Sequence, residues 1–299
     1  MDSPTGYING RTFIPDVMAQ RCKGAKAQRC YGTVLIICIT LIRFTPVAAQ
    51  SVNKFDFERI EDNSFLIEEA YNQDPGVIQH ISSFQYMNDK TWSCTFTDEW
   101  PVPGRTHQLS ATIPIIGNEK SGLGDMLLNY RYQAVLAVQF AFSPRFSIIL
   151  PTGNYKVGLG AGVPGYQLSL PFSYLLSTKI VTHYNLGLTV TPDAKDSDGT
   201  RSDITTFNYG FSTILLLNKN FNFMFEVVGN KTFTKIHKTT SKTTASLLIN
   251  PGFRYAINFK SGLQIVPGIA VPVGVGPSNG VVGVFVYLSF EHPLWKPKD

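Results

Sequence analysis

The chain has 299 residues, enough for one large domain or two small ones, and only 16% of them are charged, against about 25% in soluble domains. The net charge of +5 is concentrated at the start, because residues 1–49 carry six basic and two acidic residues while the other 250 carry 20 and 19. A nearly neutral body gives no electrostatic reason to expect nucleic-acid binding.

The first predicted element in chain order is a secretory signal. Basic residues from Arg21 to Arg29 precede an apolar run over residues 33–42, and Val47-Ala48-Ala49 supplies small residues at a cleavage point. This run is too short for a membrane-anchoring helix, which needs about 20 apolar residues. We predict a signal peptide and upstream extension over residues 1–49, with Met18 as an alternative start. The mature chain would begin near Gln50, with Cys94 as its single cysteine and no internal disulfide.

Segments of roughly ten residues that alternate apolar with polar side chains follow, up to about residue 292. In one of them Phe221, Phe223 and Phe225 share one face, and Asn222 and Glu226 share the other. Successive side chains of a strand point to opposite faces, so each segment has an apolar and a polar surface. Aromatic residues on the face that a soluble sheet turns to water favour lipid contact. Strands are predicted at 77–86, 91–100, 106–116, 122–134, 138–151, 166–177, 180–192, 205–217, 221–233, 243–257, 263–274 and 281–292.

The connections between the later strands alternate in length. Short turns at 177–179, 218–220 and 258–262 alternate with long connections at 152–165, 192–204 and 234–242. This alternation is typical of outer-membrane barrels, which have short periplasmic turns and longer external loops. The predicted fold is all-β, an antiparallel transmembrane β-barrel of the outer membrane with about twelve strands over residues 76–292. Residues 50–75 would form an N-terminal periplasmic segment or a plug in the lumen, and residues 293–299 a C-terminal tail.

Five prolines fall inside the predicted strands, where each removes a donor from the hydrogen-bond ladder. In a large barrel we expect them to mark bulges or kinks. They are Pro144, Pro171, Pro251, Pro267 and Pro272.

Two groups of motifs resemble a known family. They are Gly122-Leu123-Gly124-Asp125 running into Asn129-Tyr130-Arg131-Tyr132, and Pro144-Arg145 leading to Leu150-Pro151-Thr152-Gly153. The segment from Phe65 to Gln73 is similar to the same group, the outer-membrane barrels labelled "MetA-pathway of phenol degradation". The resemblance covers most of residues 60–292. It implies an outer-membrane location and passage of small or aromatic compounds, without making phenol the solute.

The polar faces of the strands predict which side chains line the lumen. There they could select solutes by field and hydrogen bonding, or act structurally as a paired mesh that fills the interior. The lumen candidates are Asp125, Asn129, Arg131, Gln133, Gln139, Arg145, His183, Asn185, Asn208, Glu226, Asn250 and Arg254.

A catalytic alternative rests on His80 and Ser82, which project from the same face of one strand. A barrel-borne lipid hydrolase could use them as base and nucleophile. The sequence shows no acid or amide that would orient His80, and we expect no catalytic residues. The remaining histidines lack the spacing of a metal site, so no metal and no cofactor are predicted.

The sequence thus favours a non-enzymatic barrel of the bacterial outer membrane for passive passage of small solutes, with aromatic or hydrophobic compounds as candidates. Its expected partners are outer-membrane lipid, the barrel-assembly machinery and small solutes, and no nucleic acid is expected. The sequence does not determine the oligomeric state. The alternatives are the lipid hydrolase and a structural or surface-interaction barrel.

Overall fold

The computed structural model describes residues 60, 64–118, 120–236 and 241–294. Within these ranges the chain forms twelve antiparallel strands, three of which are interrupted. The predicted signal peptide and the residues after 294 lie outside the described part. The strands are β1 (Val77–Met87), β2 (Trp92–Pro101), β3 (His107–Gly117), β4 (Ser121–Leu123 continued by Met126–Tyr132), β5 (Phe140–Phe142 continued by Arg145–Leu150), β6 (Gly165–Ser177), β7 (Ile180–Lys195), β8 (Arg201–Asn218), β9 (Phe221–Ile236), β10 (Ser241–Tyr255), β11 (Gln264–Ala270 continued by Val273–Gly274) and β12 (Gly283–Pro293).

The connections contain only short pieces of regular structure. The extended pairs Val135–Leu136 and Ile257–Asn258 follow β4 and β10, and single 3-10 turns lie at Tyr155–Val157 and Gly276–Ser278. None of the helices in the described ranges is long and apolar enough to cross a membrane.

The sheet closes on itself. Each strand pairs with its neighbours in sequence, and β1 pairs with β12 through an unbroken antiparallel register from Val77–Pro293 to Met87–Gly283. Closure satisfies the backbone hydrogen bonds of both terminal strands, which would otherwise be open edges. The predicted fold class and strand number are confirmed.

The two faces of each strand differ as the alternation predicts. On β9, Phe225 is 37% exposed on the outer wall, whereas the next residue, Glu226, is 0% exposed on the inner side. Exposed Tyr, Phe, Leu and Val side chains recur along the outer wall, and Asn, Gln, Ser and Thr recur among the buried ones. An outer surface of this kind suits contact with hydrocarbon, and a polar interior suits contact with water or a hydrogen-bonded filling.

The prolines interrupt two strands and are accommodated in the others. Pro144 separates the two parts of β5, and Pro272 those of β11. Pro171, Pro251 and Pro267 remain in register with Asn185, Phe225 and Leu288. Where a proline cannot donate, its carbonyl oxygen still accepts, as when Val271 N donates to Pro251 O at 3.0 Å.

Two predicted long loops are shorter than expected because strands continue through them. The expected loop 192–204 is reduced to residues 196–200, since β7 extends to Lys195 and β8 begins at Arg201. The strands β9 and β10 likewise extend into the predicted loop 234–242, whose residues 237–240 lie outside the described part. The predicted loop 152–165 remains a loop. Asp125 holds it by accepting from Gly153 N at 2.9 Å and Ala161 N at 2.7 Å.

Candidate functional site

The candidate site is the interior of the barrel, where the chain before β1 packs against inward-facing side chains. We call residues 64–74 the inner segment. It begins at β8 and β9, where Ser64 Oγ lies 2.7 Å from Ser212 Oγ. The carboxylate of Glu226 accepts from the backbone N–H groups of Leu66 at 2.9 Å and Ile67 at 3.1 Å, through the same oxygen. Its other oxygen accepts from Asn250 Nδ2 at 2.7 Å.

The middle of the inner segment is held by neutral side chains that replace a strand partner. Glu68 N donates to Asn185 Oδ1 at 2.7 Å, and Asn185 Nδ2 returns a hydrogen bond to Glu68 O at 2.8 Å. Ala70 N donates to Ser173 Oγ at 2.8 Å, and Ala70 O accepts from Gln133 Nε2 at 2.8 Å. Buried backbone groups must be paired, and here polar side chains of β6, of β7 and of Gln133 just after β4 pair them.

Two arginines face the same segment. Arg131 of β4 donates through Nε to Asn72 Oδ1 at 2.8 Å and through Nη2 to Tyr71 O at 2.7 Å. Its Nη1 lies 3.3 Å from Glu68 Oε1, while Arg145 Nε of β5 lies 3.0 Å from Glu68 Oε2. One carboxylate of the inner segment is thus shared between two guanidinium groups of the wall.

An apolar pocket receives Phe65, near the start of the inner segment. The ring lies 5.5 Å, centroid to centroid, from the rings of both Phe285 and Tyr287 of β12. Glycines of β10 and β11 make room for it, because a Cβ on Gly252 would lie 2.6 Å from Phe65 Cε2 and one on Gly268 would lie 2.7 Å from Cζ. The interior therefore contains a slot with the width of an aromatic ring.

Most of the predicted lumen residues are on the inner side. Those that are buried are Asn129, Arg131, Gln133, His183, Glu226, Asn250 and Arg254. Those that are half-buried, with their strand parity pointing inward, are Arg145, Asn185 and Asn208. Asp125 is also partly buried, at the break in β4, where it holds the loop after β5.

Gln139 does not line the lumen, contrary to the prediction. It is exposed in the turn before β5, and its backbone oxygen accepts from Leu175 N at 2.8 Å. Gln139 precedes the first strand residue, Phe140, so the alternation that predicts an inward position does not apply to it.

Sequence reasoning missed inner residues of β1–β3. Gln108 accepts from Gln73 N at 2.8 Å and donates to Glu99 Oε2 at 2.7 Å, and Gln79 accepts from Gln73 Nε2 at 2.5 Å. These residues are polar and occupy the inward-facing positions of their strands, so the alternation alone identifies them as lumen residues. Glu68 and Phe65 gave no such signal, because they are outside the repeating strands.

His80 and Ser82 lie on the outer wall of β1. Asp98 of β2 is in register with His80, and its Oδ1 contacts His80 Nδ1. The expectation that His80 has no orienting acid is therefore wrong. The second ring nitrogen, which would have to accept a proton from a serine nucleophile, lies 3.2 Å from His292 Nε2.

A closed barrel with an apolar outer wall and a polar interior defines a bacterial outer-membrane β-barrel, which agrees with the predicted location. An outer membrane channel from Pseudomonas putida F1 is 13% identical with a TM-score of 0.59, covering 75% of this chain and 97% of its own. The NanC porin is 10% identical with a TM-score of 0.51, covering 72% of this chain and 100% of its own. These similarities show the fold.

The chain belongs to the family described as "MetA-pathway of phenol degradation", whose model matches residues 83–290. The resemblance carried by the Gly122–Asp125 and Leu150–Gly153 motifs is thereby confirmed. No curated protein matches the chain.

Proposed function

We propose that the protein is a passive outer-membrane channel for small aromatic solutes, and that the inner segment closes its lumen in this state. The observation that carries the proposal is the slot around Phe65. A solute ring could take the same place once Phe65 has left, because the slot is built by the wall and not by the segment.

The chemistry of the slot favours an aromatic ring over other apolar groups. Phe285 and Tyr287 meet the Phe65 ring in tilted geometry, at 49° and 54°, which lets ring edges approach ring faces. Met224 packs in the same cluster, where its polarisable thioether adapts to a ring. The family description refers to phenol degradation, which is consistent with an aromatic solute.

The inner segment is held in a way that permits its release. Its contacts with Glu226, Asn185 and Ser173 are hydrogen bonds to backbone groups, which water can replace when the segment moves. Phe65 makes an apolar contact with Phe285 and Tyr287 of the wall, and Ile67 makes another at Gly210. Removing this ring should therefore shift the balance toward an open lumen.

The test is conductance in planar bilayers. Phe65→Ala should raise the open probability at least about tenfold over the unaltered protein, because deletion of a buried Phe side chain costs about 3–5 kcal/mol. Phe225→Ala, which shortens a lipid-facing side chain, is the matched control and should leave conductance unchanged. In the open variant, phenyl glucoside should reduce the ion current more strongly than methyl glucoside at equal concentration.

Unchanged conductance of Phe65→Ala would contradict the closing role of the segment. Gly268→Ala gives an independent check, since its Cβ enters the space of the Phe65 ring. It should open the channel in the unaltered protein and have no further effect when Phe65 is already alanine. Equal reduction of the current by the two glucosides would contradict the aromatic preference.

We further propose that the barrel is not an enzyme and that its partners are outer-membrane lipid and the barrel-assembly machinery. The ring nitrogens of His80 are engaged by Asp98 and His292, which argues against the hydrolase alternative. The exposed apolar side chains of the outer wall support the lipid contact.

A further inference from the structure

We propose that Arg145 and Arg131 form a binding site for the carboxylate of a small anionic solute, and that Glu68 of the inner segment occupies this site in the closed state. The inference rests on the proposed channel function and adds a charged group to the solute class. It is carried by the geometry with which one carboxylate meets two guanidinium groups.

Arg145 is the better available of the two arginines. Its described hydrogen-bond partners are neutral amides, since Nη1 donates to Asn129 Oδ1 at 3.0 Å and Nη2 to Gln167 Oε1 at 2.9 Å. These amides fix the guanidinium plane in position, and Nε, which lies 3.0 Å from Glu68 Oε2 as an ion pair, has no hydrogen-bond partner. A pre-oriented guanidinium on a rigid strand is well suited to recognise a planar carboxylate.

Arg131 adds donors that depend on the inner segment. It is 2% exposed, and besides Glu68 it donates to Asn72 Oδ1, to Tyr71 O and to Glu69 O at 3.1 Å. When the segment leaves, these acceptors leave with it. Gln108 Oε1 at 3.1 Å and Glu99 Oε2 at 3.9 Å remain on the wall.

Departure of the segment therefore takes the Glu68 carboxylate away from both guanidinium groups in a narrow lumen, and Gln108 and Glu99 are the partners described for Arg131 that stay on the wall. Cationic groups taken out of water are costly unless they are paired, so an incoming anion would stabilise the open state. A solute carboxylate would compete with Glu68 for the same donors. Solute binding and release of the segment would then be coupled by mass action, since each excludes the other.

The test is equilibrium dialysis of the detergent-solubilised protein near neutral pH, with radiolabelled benzoate and its neutral isostere benzamide as probes. The measured quantity is the ratio of the two affinities, which cancels changes that affect any aromatic ligand equally. Glu68→Gln removes the charge of the internal competitor. It should raise the affinities for both probes and leave their ratio unchanged, because each probe binds only where the segment has left and Glu68 is then absent from the site.

Two further variants separate charge competition from general loosening. Glu226→Ala weakens the hold on Leu66 and Ile67 while Glu68 stays intact, so it should change both affinities together and leave the ratio as it was. Arg145→Gln should lower the ratio by about tenfold, because a hydrogen bond to a charged group contributes about 1.5–3 kcal/mol. When Arg145 is already glutamine, Glu68→Gln should raise the two affinities less than it does in the unaltered protein, because the ion pair that it removes is no longer complete. Heat-modifiable migration in gels verifies that each variant is a folded barrel.

An unchanged ratio in Arg145→Gln, or an equal gain in affinity from Glu68→Gln with and without Arg145, would overturn the carboxylate site. The channel proposal is judged by conductance and is not touched by either result. Conversely, absence of conductance in every variant together with the expected ratios would leave the carboxylate site standing and reject the channel.

Discussion

At the scale of single residues, the interior is organised by polar side chains that bind backbone rather than one another. Glu226 is the clearest case, because it is fully buried and its three described donors are two backbone N–H groups and one amide. The alternation of β9 predicts that Glu226 faces inward. It does not predict the partners, because Leu66 and Ile67 are 160 and 159 residues away in the sequence.

The first residue-scale prediction concerns the chemistry of position 226. Glu226→Ala should release the start of the inner segment, since two buried N–H groups would lose their acceptor. Glu226→Gln should retain it, because the amide oxygen can accept from the backbone while Asn250 turns its amide to present Oδ1 to the new NH₂ group. In this structure that Oδ1 has no hydrogen-bond partner.

The measurement is labelling of Leu66→Cys with a membrane-impermeant maleimide, in a Cys94→Ala background. Labelling should be fast with Glu226→Ala and slow with Glu226→Gln. Equal rates in the two variants would show that Glu226 does not anchor the segment.

At the scale of elements, the sequence predicts strands well and their ends less well. Most of the predicted strand boundaries lie within two residues of the observed ones. Each strand has one face toward lipid and one toward the interior, so apolar and polar residues alternate along it. The alternation loses its contrast where both faces of a strand meet water. The extensions of β7 and β8 carry two aspartates and two basic residues in seven positions, so the sequence predicts a loop there, although Ala194 and Ile204 are buried beside Ala161.

The inner segment is the element that the sequence leaves most open, between a periplasmic segment and a plug in the lumen. Phe65, Leu66 and Ile67 are apolar in succession and show no periodicity of two. Such a run obtains its structure from distant side chains, so no local pattern could place it. Its proposed role as a plug rests on the contacts with β3–β9 and β12.

The hairpin formed by β7 and β8 carries the element-scale prediction. Its turn is stabilised locally, since Gly199 N donates to Asp196 O at 2.9 Å and Thr200 N donates to Asp198 Oδ1 at 2.8 Å. Hydrogen bonds from the backbone N–H and the side chain of Thr200 lower the pKa of Asp198, whose carboxylate accepts them. The turn has no contact with the inner segment among the described hydrogen bonds, so it should tolerate change.

An epitope inserted after Ser197 should leave assembly intact and bind antibody on whole cells, because an even number of strands puts this turn on the side opposite the chain termini. The same epitope inserted at Lys219, in the turn between β8 and β9, is the matched control and should react only after the outer membrane is opened. The reverse pattern would mean that the barrel is inserted in the opposite orientation.

At the scale of the whole molecule, function as a channel depends on closure of the barrel between its first and last strands. This contact joins residues about 200 positions apart, and it cannot be read from local patterning. The register pairs Phe84 with Val286 and Ser82 with Leu288 on the outer wall. A slip by one residue would turn the inner face of β12 toward lipid, so the register is set by polarity.

The closing register can be tested by disulfide formation in a Cys94→Ala background. Cysteines at 84 and 286 face each other directly, with Cα atoms expected about 4.5–5.5 Å apart, inside the range that a disulfide spans. Cysteines at 84 and 288 are a matched control, because diagonal positions are about 7–8 Å apart and should oxidise poorly. After mild oxidation of the assembled protein, thiol titration under denaturing conditions should find the first pair consumed and the second largely free. Faster loss of thiols at 84 and 288 would mean that β12 is shifted by two residues against β1. Such a shift would move Phe285 and Tyr287 away from the Phe65 slot and remove the geometric basis of the aromatic site.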